Sequence, residues 1–292
     1  MVFEPLPPAP RETIKLTPTR AMNRSGSGPD PKLACAWPRT VAVPRVRMIT
    51  PGEFDGWIIH EDERVIVINK PADVVCHPSK AGPWSSLVGA VREYTGIPVS
   101  HLVFRLDRET SGVVVFAKTP HTAGRLQTAM GARKVGKTYL AVMTGELLEP
   151  ITVNQPLGND EASPVFAKST VRADGQNSVT HFTPLARNGG FTLARVVTET
   201  GRKHQIRAHA QWLGNSLVGD KIYGPDDRFF LDFIDGGWTP ALEGKLLLSR
   251  QALHCAAIDM SGAGIARLFT APMPADMRAF CESRGIAVPD GL

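Results

Sequence analysis

The chain has 292 residues, 42% hydrophobic and 21% charged, with a formal net charge of +5. That length supports one large domain or two ordinary ones, and no apolar run approaches the ~20 residues that span a bilayer. Four cysteines, Cys35, Cys76, Cys255 and Cys281, lie far apart without a CxxC pair, which argues against a zinc site and a disulfide framework.

The N-terminus lacks the apolar h-region of a secretory signal, so the cytoplasm is the expected location and no membrane is expected as a partner. Residues 1–50 hold eight Lys/Arg against three Asp/Glu, together with nine of the 24 prolines. Such a segment cannot bury enough apolar surface to fold alone, and it is read as a flexible basic extension. Residues 51–292 form the expected folded domain. Their charges balance at 25 of each sign, so a polyanion must be met by a local basic face.

In chain order, "WIIHEDERVIVINKPADVVCHPS" from Trp57 reads as strand, acidic turn, strand, then a Lys-Pro turn into another extended piece. Residues 85–96 have helical apolar spacing and stop at Gly96. Val113–Phe116 reads as a buried strand, 121–134 as a helix, and "GKTYLAVMTGEL" as a strand. Antiparallel strands with "DGQN" and "NGG" turns follow from Ser169, then a helix over 202–214 stopped by Gly214. A strand near Leu246 to His254 and a helix around Pro274 to Ser283 complete the pattern. Many adjoining strands are close enough for hairpins, which favours an α+β domain with a mixed, largely antiparallel sheet flanked by helices.

Several chemistries drop out on motif grounds. His204 and His209 would point about 140° apart on a helix at ~100° per residue, so they do not make a metal pair. There is no GxxxxGK[ST] loop, no GxSxG elbow, and "FRLDRET" lacks the kinase spacing. What remains is Asp107 between Arg105 and Arg108, the tyrosine strand "KTYLAV", and the basic segment "GRKHQIRAH". An arginine beside an aspartate lowers its pKa, leaving a carboxylate ionised at neutral pH and able to act as nucleophile or base. A salt bridge at a strand entrance is the alternative.

Four blocks together are more specific. "VINKPADVVCHPS", "FRLDRETSGVVVFAKT", "KVGKTYLAVMTG" and "TETGRKHQIRAHAQWLGNSLVGDKIYG" resemble, in order, the motif blocks of RluA-type RNA pseudouridine synthases. The resemblance implies a pseudouridine-synthase fold and the isomerisation of uridine to its C-glycoside within rRNA or tRNA. Nothing is oxidised and no group is imported, so it implies no cofactor and no metal. It assigns Asp107 as the catalytic aspartate, Tyr139 as the aromatic against the target base, and Arg207 as the basic partner of the aspartate. Arg105 matches an arginine that helps hold the flipped-out nucleotide. The family's usual histidine before it is Phe104 here, and the first 50 residues show no S4-type RNA-binding pattern.

Lys70, Arg108, Lys137, Arg202 and Lys203 are candidate phosphate contacts, which position RNA without reading its sequence. His204 and Gln205 are expected on the same helix as Arg207, fixing its position and completing the RNA-binding set. RNA is the expected partner of a monomer with no obligate protein partner. Two other readings remain at this point. One is an inactive RNA-binding protein of the same fold, against which the intact Asp107, Tyr139 and Arg207 speak. The other is a hydrolytic glycosidase, which needs a second carboxylate; Glu109 is the nearby candidate.

Overall fold

The chain's most apolar run becomes the centre of its sheet. In the computed structural model, which describes residues 47–77, 81–265 and 267–292, every residue of Ser111–Ala117 is buried. The elements in chain order are α1 (Pro51–Asp55), β1 (Ile58–Glu61), β2 (Val65–Lys70), α2 (Leu87–Thr95), β3 (His101–Leu102) and β4 (Ser111–Ala117). Next come α3 (Pro120–Gly131), β5 (Gly136–Thr144), β6 (Ile151–Asn154), β7 (Leu157–Asn159), β8 (Ser169–Val171), β9 (Val179–Asn188) and β10 (Phe191–Thr198). The last are α4 (Gln205–Trp212), α5 (Arg228–Gly236), α6 (Pro240–Leu246), β11 (Leu253–Asp259), β12 (Leu268–Thr270) and α7 (Ala275–Ser283).

Ten strands form one sheet in the order β1-β2-β4-β11-β5-β10-β9-β6, with β3 beside β4 and β12 beside β11. Among the described residues only β4 and β11 pair in parallel, through His254↔Ser111 and Cys255↔Gly112. Gly112 makes that approach possible. It sits at φ 113°, and a Cβ there would come within 2.2 Å of the Cys255 carbonyl oxygen. β7 and β8 make a separate hairpin sheet. The architecture is α+β, mixed and largely antiparallel, as expected.

Local signals explain most boundaries. Ser86 caps α2 by accepting from the Gly89 amide, and α3 starts from the Thr119 cap with Pro120 in its first turn. Gly189 and Gly190, both at positive φ, turn β9 into β10.

Three expectations are corrected. Of the expected extension, 1–46 lies outside the described residues; within 47–50, Ile49 is buried and Thr50 forms a capping box with Glu53. Among the described residues no strand forms between β2 and α2; the Lys-Pro turn wraps instead around the Lys70 ammonium. Strand β11 begins at Leu253, because the leucines before it end α6, capped by Thr239 with Pro240 in the first turn. A short apolar run cannot by itself distinguish helix from strand. Helix α4 is shorter than 202–214, since His204 adopts φ 55° and forms its N-cap.

Candidate active site

The loop Phe104–Thr110 enters β4 at the level where β5 and β11 lie next to it in the sheet. A cleft of about 310 Å³ opens there, at the small end of ligand sites, which run ~300–1,000 Å³. Asp107, Tyr139 and Arg207 all line it. Asp107 keeps 30% of its side chain exposed, while Arg207 is buried.

Arg207 joins two carboxylates. Its Nη1 donates to Asp107 Oδ2 at 2.9 Å. Its Nε and Nη2 donate to the two oxygens of Asp220 at 2.6 and 2.8 Å, a bidentate pair at full burial. Asp220 also accepts from the amides of Ile222 and Tyr223, and the Tyr223 ring lies 4.9 Å from the guanidinium carbon. Asp220 therefore fixes the arginine, and the arginine's remaining arm reaches the cleft. Burial opposes charge on Asp107, but the Arg207 guanidinium, by its charge and its hydrogen bond, more than offsets it, so the carboxyl stays below the usual aspartate range. For Arg207, burial is likewise overcome by Asp220 and Asp107, and the guanidinium is held protonated.

The other side of Asp107 is organised by neutral groups. Gln251 Nε2 donates to Thr110 Oγ1 at 2.8 Å and stands 3.5 Å from Asp107 Oδ2. His204 Nε2 lies 3.8 Å from the same oxygen. Burial, then Arg207, pushes His204 down to about 4, so it is a neutral imidazole at pH 7. The Ser169 amide donates to Tyr223 Oη, which lies 3.1 Å from His204 Nδ1, so the tyrosine holds the ring with its Nε2 toward Asp107.

Tyr139 and Lys137 flank Thr138 on β5 and so share one face, the cleft wall. Burial, then Cys255 and Asp107, raises the Tyr139 phenol well above its ordinary value, so it stays protonated. Phe104, Met130, Ile206 and Leu253 supply apolar surface around it. A second opening of about 380 Å³ meets the first at Asp107 and is lined by Arg105, Arg108, Lys203, His204 and His77. Arg105 and Lys203 border both openings, Arg202 borders the first and Arg108 the second.

The remaining sequence-derived contacts divide. Lys70 is fully buried and donates to the carbonyls of Pro71, Val74 and Arg108, so it cannot meet a phosphate; it ties the Phe104–Thr110 loop to the turn after β2. Burial pushes its ammonium down to about 8. Gln205 is also withdrawn from RNA: its oxygen accepts from Thr200 and Arg202, and its nitrogen donates to Val179 and Thr180. Glu109 does not share the Asp107 face. It turns back to Lys221 Nζ at 2.6 Å, which removes the second carboxylate a glycosidase needs. Arg108 pairs with Asp73 at 2.8 Å on the rim. Sequence reading missed Asp220, Tyr223 and Gln251; the first two stand in "GDKIYG", where only their place in the block could have flagged them.

Comparison with known proteins fits this geometry. The family model described as RNA pseudouridylate synthase matches residues 64–212. The chain is 34% identical over 242 residues to the uncharacterized RNA pseudouridine synthase YhcT of Bacillus subtilis, covering 80% of this chain and 72% of that one. It is 35% identical over 230 residues to the ribosomal large subunit pseudouridine synthase D of Xanthomonas campestris, covering 76% and 67%. Among solved structures, human RNA pseudouridylate synthase domain containing 4 superposes with a TM-score of 0.63 at 21% identity, covering 82% of this chain and 97% of that one, a likeness of fold. The fold is thus that of the pseudouridine synthases. The chain belongs to the RNA pseudouridylate synthase family, enzymes that isomerise uridine in RNA.

Proposed function

We propose that Asp107 is the carboxylate that drives this isomerisation, with Arg207 holding it charged and Tyr139 packing on the extruded uracil. The reaction breaks N1–C1′, turns the base over, joins C5 to C1′, releases the C5 proton and reprotonates N1. The observation that carries the assignment is the Asp220–Arg207–Asp107 array, which presents one ionised, half-exposed oxygen pair to a cleft of single-nucleoside size. Positive character at C1′ as the glycosidic bond breaks is what such a carboxylate stabilises or traps. Extrusion of a stacked uridine costs a few kcal/mol, and stacking on an aromatic ring returns roughly 1–3 kcal/mol.

Lys137 is buried yet lines the cleft, so it is read as donating to the bound nucleotide, while Arg105, Arg108, Arg202 and Lys203 around the two mouths contact flanking phosphates. Relatives named for the ribosomal large subunit favour ribosomal RNA as the substrate. The folded body carries the catalysis, and the basic first 46 residues serve as an auxiliary extension. The test is release of tritium from C5-labelled uridine in large-subunit ribosomal RNA without free uracil. Free uracil, or no tritium release from any cellular RNA, is the outcome that defeats the reading.

A further inference from the structure

A shallow groove of about 640 Å³ lies between α3 and the short 3-10 turn Ser261–Ala263, away from the catalytic cleft. Its cationic lining is Arg125 and Lys134, with His121 beside them, and no carboxylate is among the residues that form it. Among the described residues these three side chains make no ion pair or hydrogen bond. Both glycines of the turn pack closely: a Cβ on Gly262 would come within 2.3 Å of the Lys134 carbonyl, and one on Gly264 within 2.6 Å of the Arg125 guanidinium. No Phe, Tyr or Trp lines the groove.

The groove neighbours the cleft along the chain without sharing a lining residue with it. Met130 lines the cleft, and Ala129 and Ala132 line the groove. Arg133 pairs with Glu199, which stands between the cleft residues Thr198 and Thr200. In the sheet the cleft residue Lys137 pairs with Ile258, next to Asp259 and the turn that walls the groove. Lys134 stands three residues before Lys137, at most about 11 Å along an extended chain, the length of about three stacked nucleotides at ~3.4 Å each.

We propose that this groove is a second binding surface for the RNA backbone. The strand leaving the cleft crosses the C-terminal end of α3, and its phosphates meet Lys134 and Arg125, with His121 beyond them. The inference rests on the cleft being a uridine site in RNA. Cations without carboxylate partners fit a polyanion, and contacts to phosphate add affinity and orientation without sequence preference.

The test compares the full-length wild type with Arg125→Glu/Lys134→Glu on two RNAs, a uridine-centred trimer and a long large-subunit ribosomal RNA transcript. For the transcript, the slope of log K against log salt should fall by about 1.4, two single-strand phosphates at ~0.7 each, and KM should rise. Binding and turnover of the trimer, too short to reach the groove, should stay as in the wild type; that also shows the variant is folded. An unchanged transcript slope, or an equal loss on the trimer, overturns the proposal. Tritium release by the wild type separates the two readings. Its absence on both RNAs overturns the uridine assignment and the groove with it, whereas release with an unaltered slope overturns the groove alone.

Discussion

Asp107 and Glu109 stand two residues apart in one loop and have opposite fates. Asp107 faces the cleft, half-exposed, on the outer arm of an arginine that Asp220 holds from behind. Glu109 faces the body, where Lys221 Nζ, donating to it and to the Ser249 carbonyl, lies 4.5 Å from the Phe233 ring centre. Between them Arg108 swings to the rim and Asp73. A turn, with the Thr110 amide donating to the Asp107 carbonyl, separates the three directions. The comparison teaches that a carboxylate whose counter-ion is anchored from behind, as Asp220 anchors Arg207, can keep one face open to a cleft, which is the arrangement proposed for catalysis.

Removing each group in turn tests that distinction. Asp107→Asn should cost several orders of magnitude in tritium release with the thermal midpoint nearly unchanged; near-normal turnover would refute its role. Arg207→Ala leaves Asp220 buried without its cation, and denaturant unfolding should show a loss of roughly 3–5 kcal/mol. The same variant sharpens the pH comparison. Burial disfavours charge on Asp107 and Asp220, yet Arg207 reverses this and keeps both folded-state values below 3.8. Depressed carboxyl values give stability that is in full force above the unfolded value of ~3.9 and is lost as pH falls through the folded values. Acid unfolding should therefore begin at distinctly higher pH in Arg207→Ala, as followed by circular dichroism.

Glu109→Gln should behave differently from Asp107→Asn. It weakens a hydrogen bond to a buried ammonium, so about 1–3 kcal/mol of stability should go while turnover of the folded fraction persists. A rate loss matching that of Asp107→Asn would erase the distinction between the two acids. The smallest effect belongs to the rim: Arg108→Ala should change stability by no more than ~1 kcal/mol, because its pair with Asp73 is exposed.

Much of the fold was legible locally. The buried strand Ser111–Ala117, the Gly-turned hairpin, the capped helices α2 and α3 and the helix α7 after Pro274 each follow from residues within a few positions of one another. Helices α5 and α6 were not, because their leucine and phenylalanine runs suit a strand as well as a helix until packing decides. Lys70 misled for a similar reason. A lysine before a proline reads as a solvated turn, and only the carbonyls gathered from Pro71, Val74 and Arg108 turn it inward.

By itself the sequence determined which residue types carry the chemistry and in which ordered blocks, since motif spacing is covalent and survives without coordinates. The tertiary structure alone decided which charges meet. Asp220 reaches Arg207 thirteen positions away and Gln251 reaches Thr110 141 positions away. Such pairings are set by strands brought together in the sheet, and by the high cost of leaving any of these groups buried and unpaired.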